Sequence, residues 1–390
     1  MFIVQMLSVV GFSCVLPFLP LYVHALGTTT SMSESLCTAL VYSGQAFTMM
    51  LASPLWGYLA DKYGRKVMVE RTTFGGAIVL ILMAFPRSAE ELVLLRMLQG
   101  AITGVLGAAN ALVAASVPRE KSGFAMGLMQ VSMGLGFALG PLLGGVIADL
   151  FGYQSVFYVT AFLLVIAGIL VWRFIDEQFV PRRTTGKKQL SLFGEWMRVL
   201  RTPGVGVLYL LRFINQSGRI IYYPILPLFI LTLIDNQEQV NSYTGIVISV
   251  ASASTALFSL MIGRFGDRSS HQKMVILCLC GAGIAFIFQS LVQSSWQLII
   301  LQLFYGAALG GVVTSISALL AVFSEKGDEG IVYGIDNSVN AGARMLGPLM
   351  CFAISSLIGM RMVFAFAGVL YFLATVLALT LLTKIKVSRP

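Results

Sequence analysis

Twelve apolar runs, each close to the length a helix needs to span a bilayer, alternate with short polar stretches along the chain. In the first half they cover 2–24, 36–58, 68–86, 92–115, 124–148 and 156–174, and in the second 204–233, 243–262, 274–292, 297–321, 331–358 and 362–383. The pattern predicts an all-α polytopic membrane protein with twelve transmembrane helices. Residues 175–203, with Pro181, Arg182, Arg183, Lys187 and Lys188, form the one long polar segment. It reads as a cytoplasmic linker between a six-helix bundle at 1–174 and a second at 204–390.

The two halves repeat one another. Pro17 and Pro20 recur as Pro224 and Pro227, 207 residues on, and Gly57 and Asp61 recur as Gly263 and Asp267, 206 residues on. Gly100 and Gly104 recur as Gly306 and Gly310 at 206, and Gly140-Pro141 as Gly347-Pro348 at 207. A period this long is no solenoid. In an apolar chain it matches the parallel-repeat architecture of transporters, whose binding site lies near the bilayer midplane between like-built halves.

Composition supports the membrane reading, with 57% apolar and 11% charged residues against about 25% charged in a soluble protein. Lys and Arg gather in alternate loops: Lys62, Arg65, Lys66 and Arg71, then 117–123, 173–201, 263–273, Lys326 and the tail. The opposite loops hold Arg87 and Arg361. By the positive-inside rule both termini face the cytoplasm, and the location is a plasma or inner membrane. The net charge of +9 is therefore a topology signal, and no nucleic-acid partner is expected. Met1 opens directly into apolar sequence without a basic flank, yet the repeat requires this first span, which favours a retained helix over a cleaved signal peptide. Cys14, Cys37, Cys278, Cys280 and Cys351 lie in or beside spans without loop pairing or ligand spacing. No metal and no cofactor is expected. Without a nucleophile and paired base, a metal cluster or a phosphate-binding glycine loop, the chain does not read as an enzyme.

At GYLADKYGRK, Gly57 permits close helix approach, Asp61 sits at the membrane edge, Gly64 allows a positive φ, and Arg65 and Lys66 anchor the loop. A plain basic hairpin would explain the cations but not the glycines and the acid. The stretch resembles the loop signature between helices 2 and 3 of the major facilitator superfamily. That resemblance implies that Asp61 and Arg65 engage charges and a helix end in the other half, stabilising one alternating state. The second copy, GRFGDRSSHQK, keeps Gly263, Asp267 and Arg268 but has no counterpart of Gly64.

LLRMLQGAITG resembles the family's fourth-helix pattern, in which the arginine is tied to proton transfer or to holding the cavity. Arg96, Gln99, Thr103 and Asn110 fall on one helical face, and an intramembrane Arg is costly enough to suggest function. The competing reading is an interfacial Arg96 snorkelling outward. GLGFALGPLLGG, with Gly140 and Pro141, permits close backbone packing and a bend. It resembles the fifth-helix signature of antiporters, which implies export. FLPLYV, ASPLWGYLADKYGRK and NALVAASVPREKSG resemble the twelve-helix drug:proton antiporter branch, particularly bacterial multidrug-resistance proteins, most densely over residues 15–150.

Polar faces mark the candidate cavity. Arg212, Asn215, Arg219 and Tyr222 share one face of the seventh run, and Gln5 and Ser8 are the repeat counterparts of Arg212 and Asn215. In the eleventh run Asn337, Asn340 and Arg344 form a stripe with Asp336 one turn before Asn340. The candidate substrate-binding set is Gln5, Arg96, Gln99, Arg212, Asn215, Arg219, Asn340 and Arg344. Proton movement usually requires a carboxylate or His in a changing environment. Of the acids only Asp336 reads as lying inside a span, with Asp61 the second candidate. An Asp336 favourably placed near a positive helix end is the structural alternative. Arginines pair bidentately with carboxylate or phosphate, which suggests an anionic or zwitterionic small molecule unless they pair with Asp336 and backbone carbonyls instead.

These features together predict a monomeric secondary transporter in the bilayer, exporting a small amphiphile or drug by proton antiport and alternating access. Uptake or exchange of an organic anion or phosphorylated metabolite is the alternative within transport. A transporter-like sensor or lipid scramblase is the alternative outside it.

Overall fold

All twelve apolar runs fold as helix, and the breaks within them fall where the chain loses a backbone donor or adopts a positive φ. The structure, a computed structural model, describes residues 1–117, 122–177, 197–199, 202, 204–235, 237–268, 270–323 and 329–382. The first repeat comprises α1 (Phe2–Cys14), α2 (Leu19–Leu26), α3 (Glu34–Tyr63), α4 (Arg65–Leu82), α5 (Ala89–Ile102), α6 (Val105–Ser116), α7 (Ser122–Phe151) and α8 (Tyr153–Phe174). The second comprises α9 (Val205–Ile220), α10 (Leu226–Leu231), α11 (Val240–Arg268), α12 (His271–Ser290), α13 (Ser295–Phe323), α14 (Glu329–Ile358) and α15 (Met360–Leu377), which runs on into a π-helical turn at Ala378–Leu382.

The first run is two helices bent by 44°. Pro17 has no N–H to give a helix, whereas Pro20 lies in the first turn of α2, where a fixed φ is tolerated. The repeat reproduces the device, since Pro224 falls between α9 and α10 and Pro227 opens α10. The fourth run is also broken. Gly104 stands at φ +148° between α5 and α6, a setting open to glycine. Its partner Gly310 stays inside the unbroken α13, pressed on the backbone of Thr255 and Ser259.

Among the described residues nine helices are long and apolar enough to cross a membrane, or ten with the α1–α2 pair as one span. The two remaining runs fall short for identifiable reasons. Arg65, Lys66, Glu70 and Arg71 crowd the first turns of α4, and α9 is only 16 residues long with Arg212 and Arg219 in it.

Met1–Arg183 pack with Tyr223–Ala253 as one compact unit, and Thr184–Tyr222 with Ser254–Pro390 as another. The expected division at 175–203 follows the repeat, while this packing also assigns α10 and the start of α11 to the first unit. Of that linker, residues 178–196, 200, 201 and 203 lie outside the described residues. In the first unit Phe18 stacks on Tyr153 at 5.5 Å and meets Phe157 edge-on at 5.4 Å. In the second, Phe286 lies 4.6 Å from Tyr305 and 5.6 Å from both Tyr222 and Tyr371. Such pairs add about 0.5–1.5 kcal/mol each beyond the area they bury.

Candidate functional site

The seventh and eleventh runs meet through an ion pair. Arg212 Nη2 on α9 donates to Asp336 Oδ2 on α14 at 3.2 Å, and Arg212 Nε lies 3.0 Å from Oδ1. Asn340 Nδ2, one turn further along α14, donates to the same Oδ2 at 3.0 Å. The two side chains are 15% and 17% exposed, so the pair is neither screened like a surface bridge nor closed to solvent. The structure thus places Arg212, Asp336 and Asn340 in one cluster. Arg219 is half-buried near the end of α9, and Arg344 is exposed on α14. Asn215 is buried, and both its backbone oxygen and its Oδ1 accept from the Tyr371 hydroxyl, at 3.1 and 3.3 Å.

The counterpart in the first repeat is neutral. Gln5 Nε2 donates to the Met129 carbonyl at 3.0 Å, and Gln5 and Met129 stand 207 residues before Arg212 and Asp336. The same seat between two helices holds an amide on a backbone oxygen in one half and a guanidinium on a carboxylate in the other. A backbone acceptor is invisible to a search for polar stripes.

Arg96 does not snorkel. It is 4% exposed, donates through Nε to the Val41 carbonyl of α3 at 3.2 Å and through Nη1 to Gln99 Oε1. Gln99 is fully buried, with Gln45 Nε2 also 3.4 Å from its Oε1, and Thr103 Oγ1 donates to its backbone oxygen at 2.6 Å. Asn110, expected on the same face, follows the break at Gly104 and belongs to α6. The counterpart of Arg96 is Gln302, which donates to Gln289 at 3.3 Å.

In the loop motif Gly64 joins α3 to α4 at φ +98°, as its residue type predicts. The Asp61 side chain, like that of Asp267, lies outside the described residues. Glu177, which sequence reasoning passed over, receives the Arg65 and Lys66 backbone N–H groups at 3.0 and 2.8 Å and so caps α4 from the non-helical segment that follows α8. The close approach expected at Gly57 is not made, because a Cβ there would meet no atom within 4 Å. Its neighbour Trp56 is the side chain that turns toward α5. The Trp56 indole N–H donates to the Ala101 carbonyl at 2.6 Å, and the Arg71 guanidinium lies 3.4 Å from the Trp56 ring centroid.

The glycine segment does pack as its spacing predicts. Gly136, Gly140 and Gly144 face α1, where a Cβ would strike Val9, Ser13 with the Val10 carbonyl, and the Cys14 carbonyl in turn. Gly145 faces α11 instead, against the Asn241 carbonyl, and Gly245 of α11 faces the Pro141 carbonyl. Asp149, four residues after Gly145, shares that face and accepts from Asn241 and Ser242. Reading the run as ending at 148 hid it, whereas α7 continues to Phe151. Among the described residues no group of His, Cys, Asp and Glu is arranged to hold a metal ion.

The family model of the Major Facilitator Superfamily matches residues 1–233 and again 208–390. The chain belongs to the major facilitator superfamily. It is therefore a multi-pass membrane transporter of small molecules, with the all-α fold of two six-helix repeats that this superfamily shares. A curated relative, multidrug resistance protein MdtG of Salmonella paratyphi B (strain ATCC BAA-1250 / SPB7), is 36% identical over 364 residues, covering 93% of this chain and 89% of the relative. MdtG of Salmonella newport (strain SL254) matches with the same identity and coverage. Among solved major facilitator structures, a bacterial homolog of the human lysosomal transporter Spinster, inward-facing and occupied, superposes with a TM-score of 0.80 at 14% identity, over 98% of this chain and 96% of that one. The human organic anion transporter MFSD10 superposes with a TM-score of 0.69 at 20% identity, over 97% of each chain. At these identities the structures speak for the fold.

Proposed function

We propose that the protein exports small amphiphilic compounds, drugs among them, by proton antiport, acting as a monomer in the plasma or inner membrane with both termini in the cytoplasm. The likeness to multidrug resistance proteins over nearly the whole chain supports export, and the alternation of basic loops supports the orientation. The observation that carries the coupling is the half-buried Arg212–Asp336 pair inside the second bundle.

That pair also narrows the substrate within the anionic or zwitterionic class. A zwitterion inserts between the partners, its anionic end on Arg212 and its cationic end on Asp336. A proton on Asp336 then removes the charge that the cationic end needs, so proton and substrate compete for one carboxylate, which is antiport. A pure anion on Arg212 leaves Asp336 to a proton and would bind together with it. Arg219 and Arg344 give the same two helices further positive charge.

The test is proton exchange by the purified transporter in weakly buffered solution with a pH indicator, using a zwitterionic amphiphilic drug. Binding that weakens as the medium is acidified, with proton release on binding in that acid range, both lost in Asp336→Asn, is the expected result. Proton uptake on binding would replace this reading with anion transport. Failure of proteoliposomes under an imposed pH gradient to accumulate any tested solute would point instead to a sensor or scramblase.

A further inference from the structure

The helices α3 and α11 are repeat counterparts, and their N-termini are satisfied in different ways. In α3 the cap is local: Ser33 Oγ accepts from the Leu36 N–H. In α11 the donors are met by another helix. Asp149, near the end of α7, accepts from the Asn241 N–H at 3.2 Å, from Asn241 Nδ2 at 2.7 Å and from the Ser242 N–H at 2.7 Å. Asn241 and Ser242 are the second and third residues of α11, the positions a local N-cap would serve. A carboxylate there also faces the positive end of the helix dipole.

Beside this cap the two helices touch backbone to backbone. Gly145 meets the Asn241 carbonyl and Gly245 meets the Pro141 carbonyl, so no side chain separates them. The repeat counterpart of Asp149 is Ser356, whose hydroxyl donates to the Phe352 and Ala353 carbonyls of its own helix. Among the described residues the device is present once, and it joins a helix of the first repeat to a helix of the second.

We propose that Asp149 is a positioning residue for transport: a clasp that holds the Asp149 end of α7 to the start of α11 in this conformation and lets go when the transporter alternates. The inference rests on alternating access alone, not on which compound is carried. Losing three hydrogen bonds to a charged acceptor shifts the balance of clasped and released states on the order of tenfold.

The measurement is the distance between spin labels on Phe151→Cys and Gln237→Cys, both exposed positions, in full-length protein in lipid nanodiscs with the five native cysteines replaced by alanine. The short distance should lose about tenfold in population relative to the long one in Asp149→Ala. Asp149→Asn, which keeps the side-chain shape, should shift it in the same direction and serves if the alanine variant does not fold. Gln239→Asp separates a clasp from a mere cap, because it gives α11 an acceptor on its own chain. Added to Asp149→Ala it should restore the melting temperature and leave the tenfold loss of the short distance in place. Unchanged distances in both Asp149 variants, or distances restored by Gln239→Asp, would overturn the proposal. Because no substrate is needed, the result is independent of the proton-release experiment.

Discussion

In the first repeat α7 lies on α1 along Gly136, Gly140 and Gly144, and Gln5 reaches the Met129 carbonyl. In the second repeat the same positions hold Ala343, Gly347 and Cys351, and Arg212 reaches Asp336. Two equivalent helix pairs are thus held by different physics. Backbone proximity at glycines depends on shape and has no protonation state, so it keeps its strength at any pH. An ion pair of 15% and 17% exposed side chains depends on a proton and on whatever else carries charge nearby. The division suggests that the first pair sets the frame while the second responds to cargo.

The hardest test of that division is to add one methyl group to each side. At Gly144 a Cβ lands on the Cys14 carbonyl, which no rotamer change can clear. Gly144→Ala should cost about 3 kcal/mol, enough to lower the melting temperature in detergent sharply. At Gly347 the nearest atoms lie at 3.5 Å, an ordinary contact, and replacing a helical glycine favours the fold. Gly347→Ala should leave stability within about 1 kcal/mol of the parent, on the stabilising side. Equal losses at both positions would remove the contrast.

The second test concerns the polar contacts in the same seats. Arg212→Gln leaves Asp336 without its countercharge, and a cost of about 2–3 kcal/mol is expected, below the fully buried case because the pair is partly solvated. Gln5→Ala gives up one hydrogen bond to a carbonyl, worth about 1 kcal/mol. The double variant Arg212→Gln with Asp336→Asn should lose less than Arg212→Gln alone, since no charge is then stranded. Additive losses in thermal unfolding would show that the two side chains do not act as a pair.

Much of this contrast is legible in the sequence, and the illegible part has physical causes. The glycines four residues apart predict close packing, because spacing on one helix fixes a shared face. Arg212 and Asp336 can each be placed on a polar stripe. Their pairing depends on which helices are neighbours, and that is a property of tertiary packing. Gln5 on Met129 is harder still, since its acceptor belongs to the backbone and leaves no mark on residue type. Gly57 misleads for a related reason: a glycine beside a tryptophan gives no sign that the Trp56 indole, rather than the missing Cβ, faces α5. Gly104 and Gly310 share a register, yet only Gly104 breaks its helix. Asp149 was lost to a boundary, because hydropathy falls before the helix ends.

Where the repeats agree, substitution should not tell them apart, which is the most delicate check on the comparison. Thr48 Oγ1 donates to the Met97 carbonyl at 2.7 Å, and Ser254 Oγ donates to the Leu303 carbonyl at 2.7 Å, with both partners displaced by 206 residues. Each bond ties the middle of one helix to its neighbour, α3 to α5 and α11 to α13. Thr48→Val keeps the branched shape beside Gly100, where there is no Cβ to strike, and Ser254→Ala removes a hydroxyl without adding bulk. A net loss of about 1 kcal/mol is expected for each, and the two should agree within about 0.5 kcal/mol. Agreement here, beside a wide gap between Gly144→Ala and Gly347→Ala, would confine the asymmetry to the α1–α7 and α9–α14 pairs. A wide gap at Thr48 and Ser254 as well would mean that the halves differ in rigidity throughout, and the ion pair would lose its special standing.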